Sequence, residues 1–324
     1  MNNPDIGIII NSFNRFELLK QCMGVIDSWL PQSGLLGRLE AIVYDAGSTD
    51  GSLEWLNNHA NGLAIPYQLI TPVTGADTSF SAGINTASEF AIAKFPSLKY
   101  LLFYETDNQI FSPEPILRAL KILGSKANLG ACGFTVRQHN GSPAGVGMPF
   151  PRLINFALGK NLVHKWQLEA ISYKWENQID DIKFSEVDVV YTSPLLLKME
   201  AWNDSGGFDA ANFPFSDCDI DWARRLRNAG WHMGVIETNE VIHDNLSAVS
   251  SWSKSRALQF HRARLKYFKR YQPVAVFLVW PLLLIFRHLL ELTSVLILVK
   301  GRDRRIQLSG QFSDLLRLCI KGYK

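Results

Sequence analysis

Apolar runs of strand length alternate with helical stretches through the first hundred residues, and no other feature restricts the fold as much. Asp5-Ile-Gly-Ile-Ile-Ile10 is continuously apolar, as expected of a strand in a parallel sheet buried on both faces. A polar turn, Asn11-Ser-Phe-Asn-Arg15, follows, and residues 16–30 read as a helix. A second strand, Leu39-Glu-Ala-Ile-Val-Tyr44, ends in a turn dense in Gly and Asp over 45–52. Further elements are a helix over 53–59, a strand near 67–70, a helix over about 81–94 and a strand over 100–104. This is the spacing of right-handed βαβ units and predicts a nucleotide-type α/β sheet.

The remainder is less regular. Residues 129–136 and 187–191 look like strands, and 216–230 like a helix that starts from an acidic cluster. Between the strands lie a Gly/Pro-rich stretch, 141–151, and an aromatic, charged segment, 164–176, of the kind that forms binding walls. Trp166, Tyr173 and Trp175 there could stack on a ligand, although such aromatics usually serve a core. With 324 residues and 47% hydrophobic content, the chain can bury one large core plus an appendage. The expected division is a catalytic domain over 1–250 and a helical region over 251–324.

That last region changes character. Seven Lys/Arg and no acid fall between residues 251 and 271, and 273–299 is mostly Leu, Val, Ile and Phe. Pro281, Arg287, His288 and Glu291 interrupt the apolar run, so no clean span of about 20 apolar residues exists. A second basic cluster occupies 301–305, and 312–319 reads as a short final helix. A basic helix leading into an interrupted apolar stretch suits an interfacial anchor on an anionic membrane surface. The alternative is a helical pair packed on protein, including a homo-oligomer. A net charge of only +3 argues against nucleic acid as a partner. Four scattered cysteines and the lack of a signal-like start point to the cytoplasm, on the inner face of the membrane.

The acids carry the chemistry. Glu105 and Asp107 follow a strand, and ligands of open α/β sheets bind at the carboxyl ends of strands. Two hard oxygen donors there suit Mn²⁺ or Mg²⁺ carrying phosphates, although such pairs also cap loops. Asp45 follows another strand and can accept from a base N–H or serve its own turn, and Asp50 before Gly51 can be a cap. Asp217, Asp219 and Asp221 crowd a helix start, where like charges would raise one member's pKa or simply favour the helix terminus.

These blocks together resemble the inverting GT-A glycosyltransferases of family 2, and within it the rhamnosyltransferase-like bacterial members. Ile8-Ile-Ile-Asn-Ser-Phe-Asn-Arg15 resembles the opening strand and loop, and Ile42-Val-Tyr-Asp-Ala-Gly-Ser-Thr-Asp-Gly-Ser52 the nucleotide-side motif. Phe80-Ser-Ala-Gly-Ile-Asn85 resembles the small-residue helix start, and Tyr104-Glu-Thr-Asp107 the metal site. Gly206-Gly-Phe-Asp209 and Cys218-Asp-Ile-Asp-Trp222, with Arg225-Leu226 and Ala229-Gly230, resemble the acceptor-side block. The resemblance spans roughly residues 5–245 and implies a GT-A, Rossmann-like mixed sheet with a helical extension.

It also implies the roles. A nucleotide-diphosphate sugar donor would meet Ser12, Asn14, Arg15, Asp45, Asn85 and Glu105. Asp107 would ligate the Mn²⁺ or Mg²⁺, and His243 would complete the metal or diphosphate site. Asp219 would be the base that takes the proton of the acceptor hydroxyl, with Asp217 as the fallback. The acceptor would be a glycan or lipid-linked glycan. Cys218 departs from the pattern, standing where the family carries Glu. A processive synthase would carry Gln-x-x-Arg-Trp, whereas Gln259-Phe-His-Arg262 is followed by Ala263. A nucleotidyltransferase would need glycines in the first loop, which has none. A catalytically silent module that binds a nucleotide sugar or a partner is the remaining alternative.

Overall fold

The computed structural model describes residues 3–58, 62–145, 147–168, 174–177, 179–190, 193–243 and 254–321. The chain separates into two compact units, Met1–Pro149 with Ser172–Asn245, and Phe150–Ile171 with Leu246–Lys324. The expected boundary near 250 lies outside the described residues. The second unit also takes in 150–171, which the sequence reading leaves in the first. The reason is apolar: Phe156 packs against the ring of Phe268, with centroids 5.7 Å apart.

The first unit opens with β1 (Ile6–Ser12), α1 (Phe16–Trp29) and β2 (Leu39–Asp45), then α2 (Ser52–Asn58) and β3 (Tyr67–Ile70). It continues through α3 (Phe80–Lys94), β4 (Tyr100–Phe103), β5 (Asn108–Ile110), α4 (Glu114–Ser125) and β6 (Leu129–Phe134). Two short strands follow, β7 (Val136–Arg137) and β8 (Pro143–Gly145). The helices α5 (Leu153–Leu158) and α6 (Lys160–Lys165) belong to the second unit. The first resumes with β9 (Glu176–Asn177), β10 (Lys183–Val187), β11 (Leu195–Lys198) and α7 (Met199–Ser205). It ends with α8 (Cys218–Asn228), β12 (His232–Ile236) and β13 (Val241–His243).

Among the described residues, nine strands form one mixed sheet in the order β3-β2-β1-β4-β11-β6-β12-β10-β9. The first four are parallel, as their continuous apolar sequences require, and every residue of β2 is buried. β11 then runs antiparallel between β4 and β6. A smaller sheet, β5-β13-β7-β8, holds His243 beside Asn108. The predicted strand over 129–136 is two strands in different sheets, because the chain crosses at Thr135. β10 ends at Val187, where a strand is expected to begin, and the strand that enters the sheet next is β11.

α3 lies on β1 and β2, and Gly83 makes that approach close. A Cβ there would stand 2.9 Å from Asn11 Oδ1 and from Tyr44 Cδ1. The second unit adds α9 (Lys254–Tyr271), α10 (Pro273–Leu298) and α11 (Arg302–Lys321). α11 is longer than the predicted 312–319 and absorbs most of the basic cluster at its start. Among the described residues, no helix is long and apolar enough to cross a membrane.

Candidate active site

The register of the parallel strands sets the site. Ser12 pairs with Asp45 at the ends of β1 and β2, while β4 stops at Phe103 opposite Ile9. The three loops that follow therefore emerge at one edge, and two of them are tied together. The Asn14 N–H donates to Ser48 Oγ at 2.8 Å, Thr49 N–H donates to Asn14 Oδ1 at 2.8 Å, and Phe16 N–H donates to Asp50 Oδ2 at 2.8 Å. Asn14 takes a φ of 51°, a left-handed conformation that Asn tolerates better than most residues. Burial would raise the Asp50 carboxyl, but hydrogen bonds from Ser52 and the Phe16 N–H hold it below its ordinary value. Asp50 is the clasp between the loops.

Asp45 is fully buried. Its Oδ1 accepts from the N–H groups of Gly47 and Ser48 at 3.0 and 2.6 Å, and its Oδ2 accepts from Ser48 Oγ at 2.7 Å. The carboxylate thus serves its own turn, and a nucleobase could reach it only after that turn opens. Ser12 Oγ is also buried and, among the described residues, lacks a partner at the strand end.

Arg15, Asp107 and His243 converge. Arg15 Nη1 donates to Asp107 Oδ2 at 3.0 Å, and His243 Nε2 lies 3.5 Å from Oδ1 of the same carboxylate. Burial would raise the Asp107 carboxyl, yet the His243 imidazole and Arg15 hold it below the usual range. Burial would lower His243, and Asp107, helped by Glu105, raises it instead. The loop is fixed by Ser193, a residue the sequence reading missed, whose Oγ accepts the Glu105 N–H at 2.7 Å. Asn108 donates to the same hydroxyl.

The second half is built on α8. Asp221 is fully buried and paired with Arg225 at 2.9 Å, and Arg225 Nη2 donates to the carbonyl of Gly207 at 2.7 Å. Asp221 is structural. Asp217 is buried in a left-handed conformation (φ 60°) before the helix. Asp219 is half-buried and accepts from the Ile220 N–H at 2.9 Å, so of the three acids it is the one best placed to meet a ligand. Cys218 is buried between charges: burial raises its thiol, and the Asp219 and Glu105 carboxylates add to that. Glu105 therefore acts electrostatically on both halves, on His243 and on Cys218.

Asn85 ties two elements together. Its Nδ2 donates to Phe208 O at 2.7 Å and its Oδ1 accepts the Phe208 N–H at 2.8 Å, fastening α3 to the Gly206–Asp209 loop. Rings complete the fastening, with Trp202 and Trp222 at 5.6 Å and Phe103 and Trp202 at 5.2 Å. Sequence reasoning also missed Phe13 and Phe215. Both rings are exposed beside the loops of the site, and sequence alone does not separate them from core aromatics. Of the aromatic set, Trp166 belongs to the second unit, Trp175 to the first, and Tyr173 lies outside the described residues.

The donor set fits a divalent cation shared with a substrate. Among the described residues, no group of three or more His, Cys, Asp or Glu side chains could hold a metal unaided. Asp107 Oδ1 and His243 Nε2 supply two donors, and Mg²⁺ commonly takes only one or two carboxylates and fills its shell with phosphate oxygens and water.

No family model matches the chain, and no curated protein matches it in sequence. Solved structures match it in fold. The mannosyltransferase PcManGT from Pyrobaculum calidifontis, in complex with GDP-Man and Mn²⁺, aligns with a TM-score of 0.53 at 16% identity, covering 98% of this chain and 86% of its own. TarS from S. aureus aligns with a TM-score of 0.52 at 11% identity over 98% of this chain and 55% of TarS. Its segment 1–349 gives 0.50 at 13% identity, covering 98% of this chain and 90% of the segment. The chain thus spans about half of the longer TarS structure. At such identities the likeness establishes the fold, a mixed α/β sheet with helices at the carboxyl end, as the sequence reading expects.

Proposed function

We propose that this chain is an inverting glycosyltransferase. It moves one sugar from a nucleotide-diphosphate sugar to a hydroxyl of a cell-surface polysaccharide or lipid-linked oligosaccharide. The observation that carries the reading is the pairing of buried Asp107, in the loop that follows β4, with half-buried His243 of β13, 3.5 Å apart. The fold shared with PcManGT, whose structure contains GDP-Man and Mn²⁺, supports the choice of donor. The ordered blocks of a family-2, rhamnosyltransferase-like enzyme support a hexosyl or deoxyhexosyl group.

Asp107 and His243 would hold Mn²⁺ or Mg²⁺, which stabilises the diphosphate leaving group as charge develops on it. Arg15 adds a cation on the same carboxylate and stands ready to turn towards the phosphates. The Ser12–Arg15 loop, with the exposed ring of Phe13, contacts the nucleoside, and Glu105 contacts its ribose. Asp219 takes the proton of the acceptor hydroxyl as its oxygen attacks the anomeric carbon from the opposite face. Asp217, more deeply buried, is the second candidate for that role. The reading includes attachment to the inner, anionic face of the cytoplasmic membrane, for which basic α9 and apolar α10 are the support.

A thermal-shift screen of nucleotide sugars with Mn²⁺ tests the reading. A true donor at 100 times its Kd stabilises the fold by about 2.7 kcal/mol, a shift of several degrees. No shift with any donor contradicts it, and stabilisation without turnover identifies a silent binding module.

A further inference from the structure

One hydroxyl group holds both sides of the Asp107 loop. β11 runs antiparallel to β4 with Leu195 opposite Phe103, and the same register carried past the strand ends sets Ser193 level with Glu105. Ser193 is only 3% exposed, and its Oγ accepts the Glu105 N–H at 2.7 Å. The same Oγ accepts from Nδ2 of Asn108, which is fully buried. The residue two before Asp107 and the residue after it are thus fastened to a single point. Asn108 Nδ2 also lies 3.3 Å from the carbonyl of Glu105 and 3.4 Å from Asp107 Oδ1. That is the oxygen that faces His243 Nε2, whereas Oδ2 takes Arg15. His243 in turn pairs with Asn108 in the ladder of β13 with β5. Asn108 therefore meets the carboxylate through its amide and the histidine through its backbone.

We propose, taking the Asp107–His243 pair as the metal site of the function proposed above, that Ser193 and Asn108 are positioning residues that set its affinity for a divalent cation. Both are too deeply buried to touch a substrate, so they act through the loop. Hydrogen-bonded partners behind a metal ligand orient it, and losing one commonly costs about 10–100-fold in metal affinity. Without the Ser193 hydroxyl the loop must be ordered as the cation binds, and that ordering is subtracted from the affinity.

Equilibrium dialysis of the full chain with radioactive Mn²⁺, in separate runs with GDP and with UDP, tests this. Ser193→Ala should weaken Mn²⁺ binding by about tenfold or more, and so should Asn108→Leu, which is close in volume but has no amide. The double variant should lose little more than either single one, because both act through one clamp, whereas independent effects would multiply. Nucleotide binding without metal should stay unchanged in all three. Ser185→Ala removes an equally buried hydroxyl from β10, one that accepts the Lys174 N–H at 2.8 Å, and should leave Mn²⁺ affinity as it is. Undiminished Mn²⁺ affinity in Ser193→Ala, multiplied losses in the double variant, or an equal loss of metal-free nucleotide binding overturns the proposal while the metal site stands. No Mn²⁺ bound by the unaltered protein with either nucleotide overturns both. Should Ser193→Ala not fold, Asn108→Leu and Ser193→Cys, whose sulfur is a weak acceptor, decide in the same way.

Discussion

At the scale of single residues, three aspartates at one helix start have three different fates. Asp221 is committed to Arg225, Asp217 is buried, and Asp219 is half-buried. Asp219→Asn should therefore lower kcat by about 10²–10⁴, the usual size of a general-base contribution, with donor Kd unchanged. Steady-state kinetics and calorimetry on one preparation check both halves. Asn85 makes the opposite case. Asn85→Ala removes both hydrogen bonds to Phe208 and should cost about 1–3 kcal/mol in denaturant unfolding without a direct change in nucleotide affinity. A changed Kd at unaltered stability would make Asn85 a direct donor contact. Types and spacings were enough to put Asp107 just past a strand and Asp219 at a helix start, which is where the fold has them. The commitments of Asn85 and Asp45 were not legible, since both are settled by partners that only folding brings near.

Among the elements, the parallel strands were legible because continuous apolar runs have few other homes. β11 was not, because Leu195-Leu-Leu197 is too short to separate from a buried helix segment by period. α3 carries a stability prediction: Gly83→Ala drives a methyl towards Asn11 and Tyr44 and should cost about 1–3 kcal/mol by overpacking. The contact of α9 with α10 carries a pH prediction. His261 ordinarily titrates near 6.5, and in the fold its pKa is depressed to about 3 by burial and by His288. The unfolded chain thus binds a proton that the folded chain refuses. This contribution is present above about pH 6.5 and is lost as pH falls from there towards 3, at up to about 1.4 kcal/mol per unit. Glu291 acts in the same direction at lower pH. Burial raises its carboxyl, but His288 and Arg287 hold it below its ordinary 4.5, so its stabilisation also fades on acidification. Urea titrations at stepped pH should show a shallower acid slope in His261→Phe.

The whole molecule joins an α/β unit that carries the site to a helical unit that carries the basic and apolar surfaces. The first was legible in most of its order. That 150–171 groups with the second was not legible, since it depends on ring packing around Phe156 rather than on local sequence. Full-length protein should sediment with anionic vesicles and not with neutral ones, with binding weakened by salt, each basic residue near the surface adding about 1 kcal/mol. Equal binding to both vesicle types would remove the electrostatic part of that account. The central claim concerns chemistry, and release of nucleoside diphosphate from a nucleotide sugar in the presence of Mn²⁺ measures it most directly. The account predicts release by the unaltered protein, near-complete loss in Asp107→Asn and in Asp219→Asn, and retained donor binding only in Asp219→Asn. Release at the unaltered rate in Asp219→Asn, or donor binding undiminished in Asp107→Asn, would contradict it.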